Sequence, residues 1–197
     1  MVMSDVEKLV ESMKQLFFLG LINPRGGNGS VKVSDKYVAV TPSGLGKQWL
    51  TVEDLVICEI SSGEIVKGDH RPTVELGVHL GIYRAITEAR AVLHAHPPIA
   101  LALFDTGLPE WWNQPLVEVS YSVGKVSVVE ERPPGSLELA NAVVEAVKRV
   151  RSRIVAVPHH GVFAWGRSIE EALDSIVALE TVAKYVVVKT LLGKHLE

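Results

Sequence analysis

The sequence predicts an α/β fold, an antiparallel or mixed sheet with helices on its faces. Three observations carry this. One amphipathic helix is followed by several short strands, and these by strands that alternate with helices. At 197 residues and 47% hydrophobic, the chain has ample apolar material for a large core. No Pro/Ser-rich linker, repeat or low-complexity block interrupts it, so residues 1–197 read as a single domain.

In chain order, Ser4 to Gly20 places Val6, Leu9, Val10, Met13, Leu16 and Phe17 on one helical stripe. Gly20 and the Asn23-Pro24 pair end that helix. Arg25-Gly26-Gly27-Asn28-Gly29-Ser30 is a glycine-rich loop. Val31–Val33 and Tyr37–Val40 alternate as short strands around Ser34-Asp35-Lys36, and Thr41-Pro42-Ser43-Gly44 closes the hairpin. Thr51 to Asp54 has the form of a capping box opening a short helical turn. Leu55–Ile60 and Glu64–Val66 make another hairpin across Ser61-Ser62-Gly63. Thr73 is placed to cap a helix from Val74 to about Ala89, with Leu76, Leu80, Tyr83 and Ile86 on its apolar stripe. A buried strand, Ala91–His96, and a helix, Ile99–Phe104, follow. Asp105–Gln114 is a Pro/Trp loop, and Leu116–Val119 and Val126–Val129 read as strands. Ser136 starts a helix to about Val150, Ile154–Val157 is a buried strand, and Val162–Trp165 continues extended. Ser168 to Glu171 is a second capping box, opening a final helix that reaches about Leu192.

Composition excludes several classes of function. A net charge of −3 argues against a general nucleic-acid binder. No segment holds the roughly 18 uninterrupted apolar residues that a membrane span needs. Met1 to Glu11 lacks a basic segment followed by an apolar one, so no secretory signal is expected and a cytoplasmic location is. Cys58 is the single cysteine, which leaves no intrachain disulfide and no thiolate metal cage.

The chemistry-bearing residues begin with His94-Ala95-His96-Pro97. Side chains two apart on a strand point the same way, so His94 and His96 present two imidazoles to one side, and Pro97 ends the strand. Such a pair suits zinc or another transition metal. A hydrogen-bonded pair at a sheet edge is the alternative. His159-His160-Gly161, also at a strand's end, supplies a third candidate. Three protein ligands with one open position is the usual catalytic zinc arrangement. Adjacent histidines in a strand point oppositely, so one of His159 and His160 is expected to bind, unless both lie in a solvated turn. The others compete less well: His70 is in a polar loop, His195 in a terminal tail expected to fray, and His79 one helical turn after Glu75. Glu75 lies in the first turn of its helix, where the dipole alone favours a carboxylate. Its functional reading is a general base or a removable fourth metal ligand. Asn28-Gly29-Ser30 and Ser43-Gly44 are turns able to cradle a phosphate, although most such turns are only turns. The N-terminus of the Glu75 helix also attracts anions.

Gly27-Asn28-Gly29-Ser30, Thr41-Pro42-Ser43-Gly44, Glu75, His94-Ala95-His96-Pro97 and His160-Gly161, in this order, resemble the class II aldolase/adducin family, and within it the L-fuculose-phosphate aldolases. The likeness runs from the first helix to the last. It implies a three-layer α/β/α unit around a mainly antiparallel sheet. It implies one zinc ion per subunit on His94, His96 and His160, with His159 a neighbour. It implies a phosphate site at Asn28, Ser43, Gly44 and the two residues before the acid, Thr73 and Val74, with Glu75 the acid. Many of these aldolases carry Ser or Thr at both positions before the acid. Here Val74 has no hydroxyl, which puts the substrate in question more than the chemistry. A tyrosine, commonly from a neighbouring subunit, protonates the aldehyde side in the family, and Tyr121 lies in the corresponding region.

The implied reaction cleaves a ketose 1-phosphate reversibly to dihydroxyacetone phosphate and an aldehyde, on a homotetramer with sites at subunit interfaces and with a small sugar phosphate as partner. Trp111 and Trp112 are candidates for that interface or for a local core. Sugar-phosphate epimerases, methylthioribulose-phosphate dehydratases and non-catalytic adducin-like modules share the scaffold. Glu75, where the epimerases typically have Asp, favours aldol cleavage, and the three-histidine set argues against a scaffold module.

Overall fold

The computed structural model describes residues 3–193, so His195 lies outside the described residues. The chain forms α1 (Asp5–Phe18), β1 (Asn28–Lys32), β2 (Tyr37–Val40), β3 (Val56–Glu59), β4 (Ile65–Lys67), α2 (Leu76–Ala85), β5 (Ala91–Ala95), α3 (Pro98–Asp105), β6 (Val126–Val128), α4 (Leu137–Val150), β7 (Ile154–Val157), β8 (Gly161–Gly166) and α5 (Ile169–Gly193). The strands make one eight-stranded sheet in the order β4-β3-β2-β1-β5-β8-β7-β6. Every neighbouring pair is antiparallel except β6 with β7. The predicted α/β class and the mainly antiparallel sheet are both present.

Strand alternation divides the interior in two. Ala91, Leu93, Ala95, Ile154, Ala156, Val162 and Ala164 pack with Leu9, Met13 and Leu16 of α1, Phe104 of α3 and Ile176 and Leu179 of α5. Val92, Val155, Val157, Phe163 and Trp165 face the other way, onto Val78, Ile82 and Tyr83 of α2 and Leu139, Val143 and Val147 of α4. The middle strands are therefore buried on both faces and read as continuous apolar runs rather than alternating ones. Caps fix where helices begin. The Ser4 hydroxyl accepts from the Glu7 N–H, and the Glu7 carboxylate accepts from the Ser4 N–H at 2.7 Å, a capping box that opens α1. Among the described residues no helix is long and apolar enough to cross a membrane.

Three details depart from the expectation. β1 begins at Asn28 rather than Val31, because Asn28-Gly29-Ser30 ladders with β5 instead of looping. The expected helix from Val74 to Ala89 is shorter, with Glu75 at its N-cap position and Ala85 at its end. Leu116–Val119 is not a strand. Leu116 and Val119 both reach the core from one side of a helical segment, since residues three apart share a face. The following π-type turn, Val119–Val123, is closed by the Gly124 N–H on the Val119 carbonyl at 3.0 Å, with Gly124 at φ +62°. Trp111 is 2% exposed and packs edge-on against Phe104 and Trp112, so it takes the local core role.

Leu93 sits in the middle of β5 with no exposure and contacts α1 through the gap that Gly29 leaves. Leu93→Ala is expected to cost about 2–5 kcal/mol, read as a lower urea midpoint at unchanged m. A loss below about 1 kcal/mol would show that this face of the sheet is not close-packed.

Candidate active site

The site is set by which face of the sheet each strand offers. Asn28 of β1 pairs with His94 of β5, and Ser30 with Val92. Directly opposed residues in an antiparallel ladder share a face, so Asn28, Ser30 and His94 all stand on the side covered by α2. Glu75, His79 and Tyr83, spaced four apart, face them from α2 and its N-cap, all three buried. Polar groups buried there need partners, and they find one another. Asn28 Nδ2 donates to Glu75 Oε2 at 2.8 Å, which turns its Oδ1 to His79 Nε2 at 2.6 Å. Because that oxygen only accepts, His79 carries its proton on Nε2 and accepts on Nδ1 from the Ser30 hydroxyl at 2.7 Å. The Tyr83 hydroxyl ends the chain, donating to the Ser30 carbonyl at 2.9 Å.

The three histidines converge at the edge of this layer. His94 Nδ1 donates to the Val162 carbonyl at 3.0 Å, and the ring stacks on Phe163 with centroids 4.2 Å apart. Its Nε2 is therefore bare and faces His96 Nε2 at 3.0 Å and Glu75 Oε2 at 3.2 Å. His160 arrives from the tight β7–β8 turn, in which His159 takes a left-handed φ of +59°. That turn brings His160 Nε2 to 3.0 Å from Glu75 Oε1. Gly161 makes the approach possible. A Cβ there would lie 2.5 Å from His94 Cε1, 2.7 Å from the Ala95 carbonyl and 2.8 Å from His96 Cδ2.

Burial draws His94 down from 6.5 to about 3, against the pull of Glu75, and draws His79 down to about 4. Burial would raise the Glu75 carboxyl, but the neighbouring His94, the close approach of His160 and the hydrogen bond from Asn28 outweigh it and hold Glu75 at about 2. At neutral pH an ionised Glu75 carboxylate thus lies between the neutral imidazoles of His94 and His79.

This donor set fits a divalent cation. One ring nitrogen from each of His94, His96 and His160 lies within 4.8 Å of the others. His94 is already oriented by a carbonyl on its far nitrogen, the usual second partner of a metal-bound imidazole. His160 Nδ1 is buried without a hydrogen-bond partner among the described residues. Neutral imidazoles are ligands for zinc and similar transition metals.

A cleft of about 350 Å³ opens from these histidines. Its wall brings together Asn28, Ser43, Gly44, Thr73, Glu75, His94, His96 and His160. The Ser43 and Thr73 loops lie side by side because the Ser43 N–H donates to the Arg71 carbonyl at 2.9 Å and the Thr73 N–H to the Thr41 carbonyl at 3.1 Å. The Thr73 hydroxyl accepts from the Glu75 N–H at 3.3 Å. Val74 is 64% exposed on the same wall. His159 also lines the cleft but stays out of the three-histidine group, with its Nδ1 3.3 Å from Glu131 Oε2. Tyr121 does not join the cleft of its own chain; it is 81% exposed and borders a separate depression with Arg151, Arg153 and Arg167. Two features were missed in the sequence. The chain from Glu75 to Tyr83 was signalled by polar residues recurring every fourth position on an otherwise apolar helix face. The buried Lys47 on the cleft wall left no signal, since lysine is ordinarily exposed.

A mainly antiparallel α/β/α sandwich carrying three convergent imidazoles, a buried carboxylate and an adjoining polar cleft has counterparts among known proteins. The model of the Class II Aldolase and Adducin N-terminal domain family matches residues 7–187, and the chain belongs to that family. An L-fuculose phosphate aldolase of Methanococcus maripaludis is 31% identical over 180 residues, covering 91% of this chain and 94% of the relative. A 5-deoxy-D-ribulose 1-phosphate aldolase of Bacillus thuringiensis is 29% identical, covering 90% and 82%. A solved structure of L-fuculose 1-phosphate aldolase superposes with a TM-score of 0.83 at 28% identity, covering 98% of this chain and 90% of that one. The chain is thus a class II aldolase-type protein, similar to fuculose-phosphate aldolases, and class II aldolases use a divalent metal.

Gly161→Ala is expected to weaken metal binding about 10- to 100-fold, measured by chelator competition, by pushing His94 and His96 off their present geometry. An unchanged affinity would show that the histidines tolerate the added methyl. The metal-free protein is expected to lose stability as it is acidified. His94 and His79 resist protons in the folded state that the unfolded chain binds below about pH 6.5, and Glu75 adds to the loss below its ordinary 4.5. A urea midpoint that stays flat from about pH 7 to about pH 4 would contradict this.

Proposed function

We propose that this protein is a zinc-dependent aldolase that reversibly cleaves an L-fuculose 1-phosphate-like ketose 1-phosphate to dihydroxyacetone phosphate and an aldehyde such as lactaldehyde. The observation that carries the reading is the position of Glu75. It is 3% exposed, touches both His94 and His160, and borders the cleft that the Ser43 and Thr73 loops enclose. The names of two similar proteins, an L-fuculose 1-phosphate aldolase and a 5-deoxy-D-ribulose 1-phosphate aldolase, support the same class of substrate.

In this reading Asn28, Ser43, Gly44 and Thr73 hold the substrate's phosphate. Fixing that end of the molecule turns its binding energy into orientation at the bond that breaks. His94, His96 and His160 would hold the zinc ion. A zinc ion bound there supplies a Lewis acid for the negative charge that develops at the ketone oxygen. Glu75 moves the proton at the reacting carbon: ionised at neutral pH, it takes that proton in the condensation direction and returns it to the carbon in cleavage. The Asn28 amide, locked by His79, keeps one carboxylate oxygen in place while the other serves that proton. Tyr121, exposed and outside the cleft of its own chain, suits a proton donor to the site of a neighbouring subunit in a homotetramer.

The test is a panel of ketose phosphates given to zinc-loaded protein, with triose phosphate release followed by a coupled assay. Release from L-fuculose 1-phosphate or 5-deoxy-D-ribulose 1-phosphate is expected, lost on chelation and restored by zinc. Glu75→Gln is expected to lower kcat about 10²- to 10⁴-fold. Full activity in metal-free protein, or an epimerised sugar with no triose phosphate, would overturn the proposal.

A further inference from the structure

The cleft wall holds a buried cation that the reading above leaves without a role. Lys47 is 1% exposed, among the largest fully buried side chains of the protein. Its backbone N–H donates to the Pro24 carbonyl at 2.7 Å, and it opens a short turn, Lys47–Trp49, against α1. Lys47 is also one of the residues that line the cleft, together with Ser43 and Gly44. Its Nζ donates to the Leu45 carbonyl at 2.9 Å, and no carboxylate of the described residues comes within 4.0 Å of it. An ammonium has three N–H groups, and one of these is used. Burial disfavours the charge and lowers its pKa. A lysine buried without a counter-charge is costly, and buried charges are ordinarily paired.

The other cations of the cleft are placed differently. Arg132 is committed to the Glu130 carboxylate at 2.7 Å and the Glu131 carbonyl at 2.8 Å. Arg25 is exposed at the rim. The neutral donors of the cleft are also one short, because Val74 presents an isopropyl group beside Thr73.

We infer that Lys47 is the charge partner of the substrate's phosphate, a binding residue that selects a phosphorylated sugar and compensates for the hydroxyl missing at Val74. This rests on the proposal that the substrate carries a phosphate in this cleft. It differs from that proposal in assigning the main electrostatic attraction to one buried side chain rather than to loop amides and hydroxyls.

The experiment compares zinc-loaded wild-type protein with Lys47→Met, using inorganic phosphate as the calorimetric probe and chemical unfolding as the second measurement. In the variant, phosphate binding is expected to weaken at least about tenfold, and KM for the cleaved ketose 1-phosphate to rise by a similar factor, with zinc content preserved. Without phosphate, the variant is expected to be as stable as the wild type or more so, since a desolvated charge with no counter-ion has been removed. Equal phosphate affinity in the two proteins would overturn the role of Lys47 while leaving the phosphate cleft standing. A variant that fails to fold, or loses stability without phosphate, would make Lys47 a structural residue and overturn the inference too. If the wild type binds no phosphate at all, the phosphate reading of the cleft falls together with it.

Discussion

Asn28 stands opposite His94 in the β1–β5 ladder, and the candidate site is built outward from that register. A slip of one residue would turn Gly29 and Val31 toward α2 and send Asn28 and Ser30 into the apolar layer under α1. Gly29 opposes the slip from the other side, since Leu93, Leu9 and the Met13 sulfur fill the space where a side chain would stand. The apolar packing of one face thus holds the polar residues of the other in place. With the register set, His94 and Asn28 are neighbours, and α2 delivers Glu75 to both.

The polar layer between β1 and α2 is satisfied along its length, and its protons run in one direction. Tyr83, Ser30, His79, Asn28 and Glu75 form a line in which each acceptor meets a donor. A buried network of this kind rigidifies because any reorientation leaves a desolvated group without a partner. The orientation of the Asn28 amide follows from it. Its nitrogen faces the carboxylate and its oxygen faces the imidazole, so the donor end is the one offered toward the cleft. Beyond Glu75 the pattern stops: lone pairs of His94 and Glu75 meet at 3.2 Å, and His160 Nδ1 has no partner among the described residues. The contrast between a completed network and an uncompleted cluster a few ångströms away marks where a ligand belongs.

In the proposed reading, the cleft beside that cluster joins two kinds of anion recognition. The Ser43 and Thr73 loops bring small hydroxyls and close backbone, held side by side by hydrogen bonds between their main chains. Lys47 adds a buried ammonium. Val74 and Lys47 make sense as a pair if a charge has taken over from a hydroxyl. A single buried ammonium discriminates a phosphate ester from an uncharged sugar more sharply than a hydroxyl does, because its interaction is strong only with an anion.

Much of this was legible in the amino-acid sequence alone. Apolar periodicity located the helices and central strands, because one buried stripe or one continuous apolar run has few ways to be satisfied. His94-Ala95-His96 declared a shared face by the two-residue period of a strand, and His160-Gly161 and Glu75 entered through their place in an ordered set of motifs. Where the local pattern allowed two solutions, sequence reasoning chose wrongly: Leu116 and Val119 suit one side of a helical turn as well as a strand. Contacts between distant segments were beyond it. The distance from Glu75 to His94 and His160, the steric need for Gly161, the line from Tyr83 to Glu75 and the burial of Lys47 depend on strand register and on loops far apart in the chain. Side-chain period is a local property of the backbone and is written in the sequence. Desolvation, and the charge state it imposes, belongs to the packed interior and exists only once the sheet, α2 and the cleft loops have closed on one another.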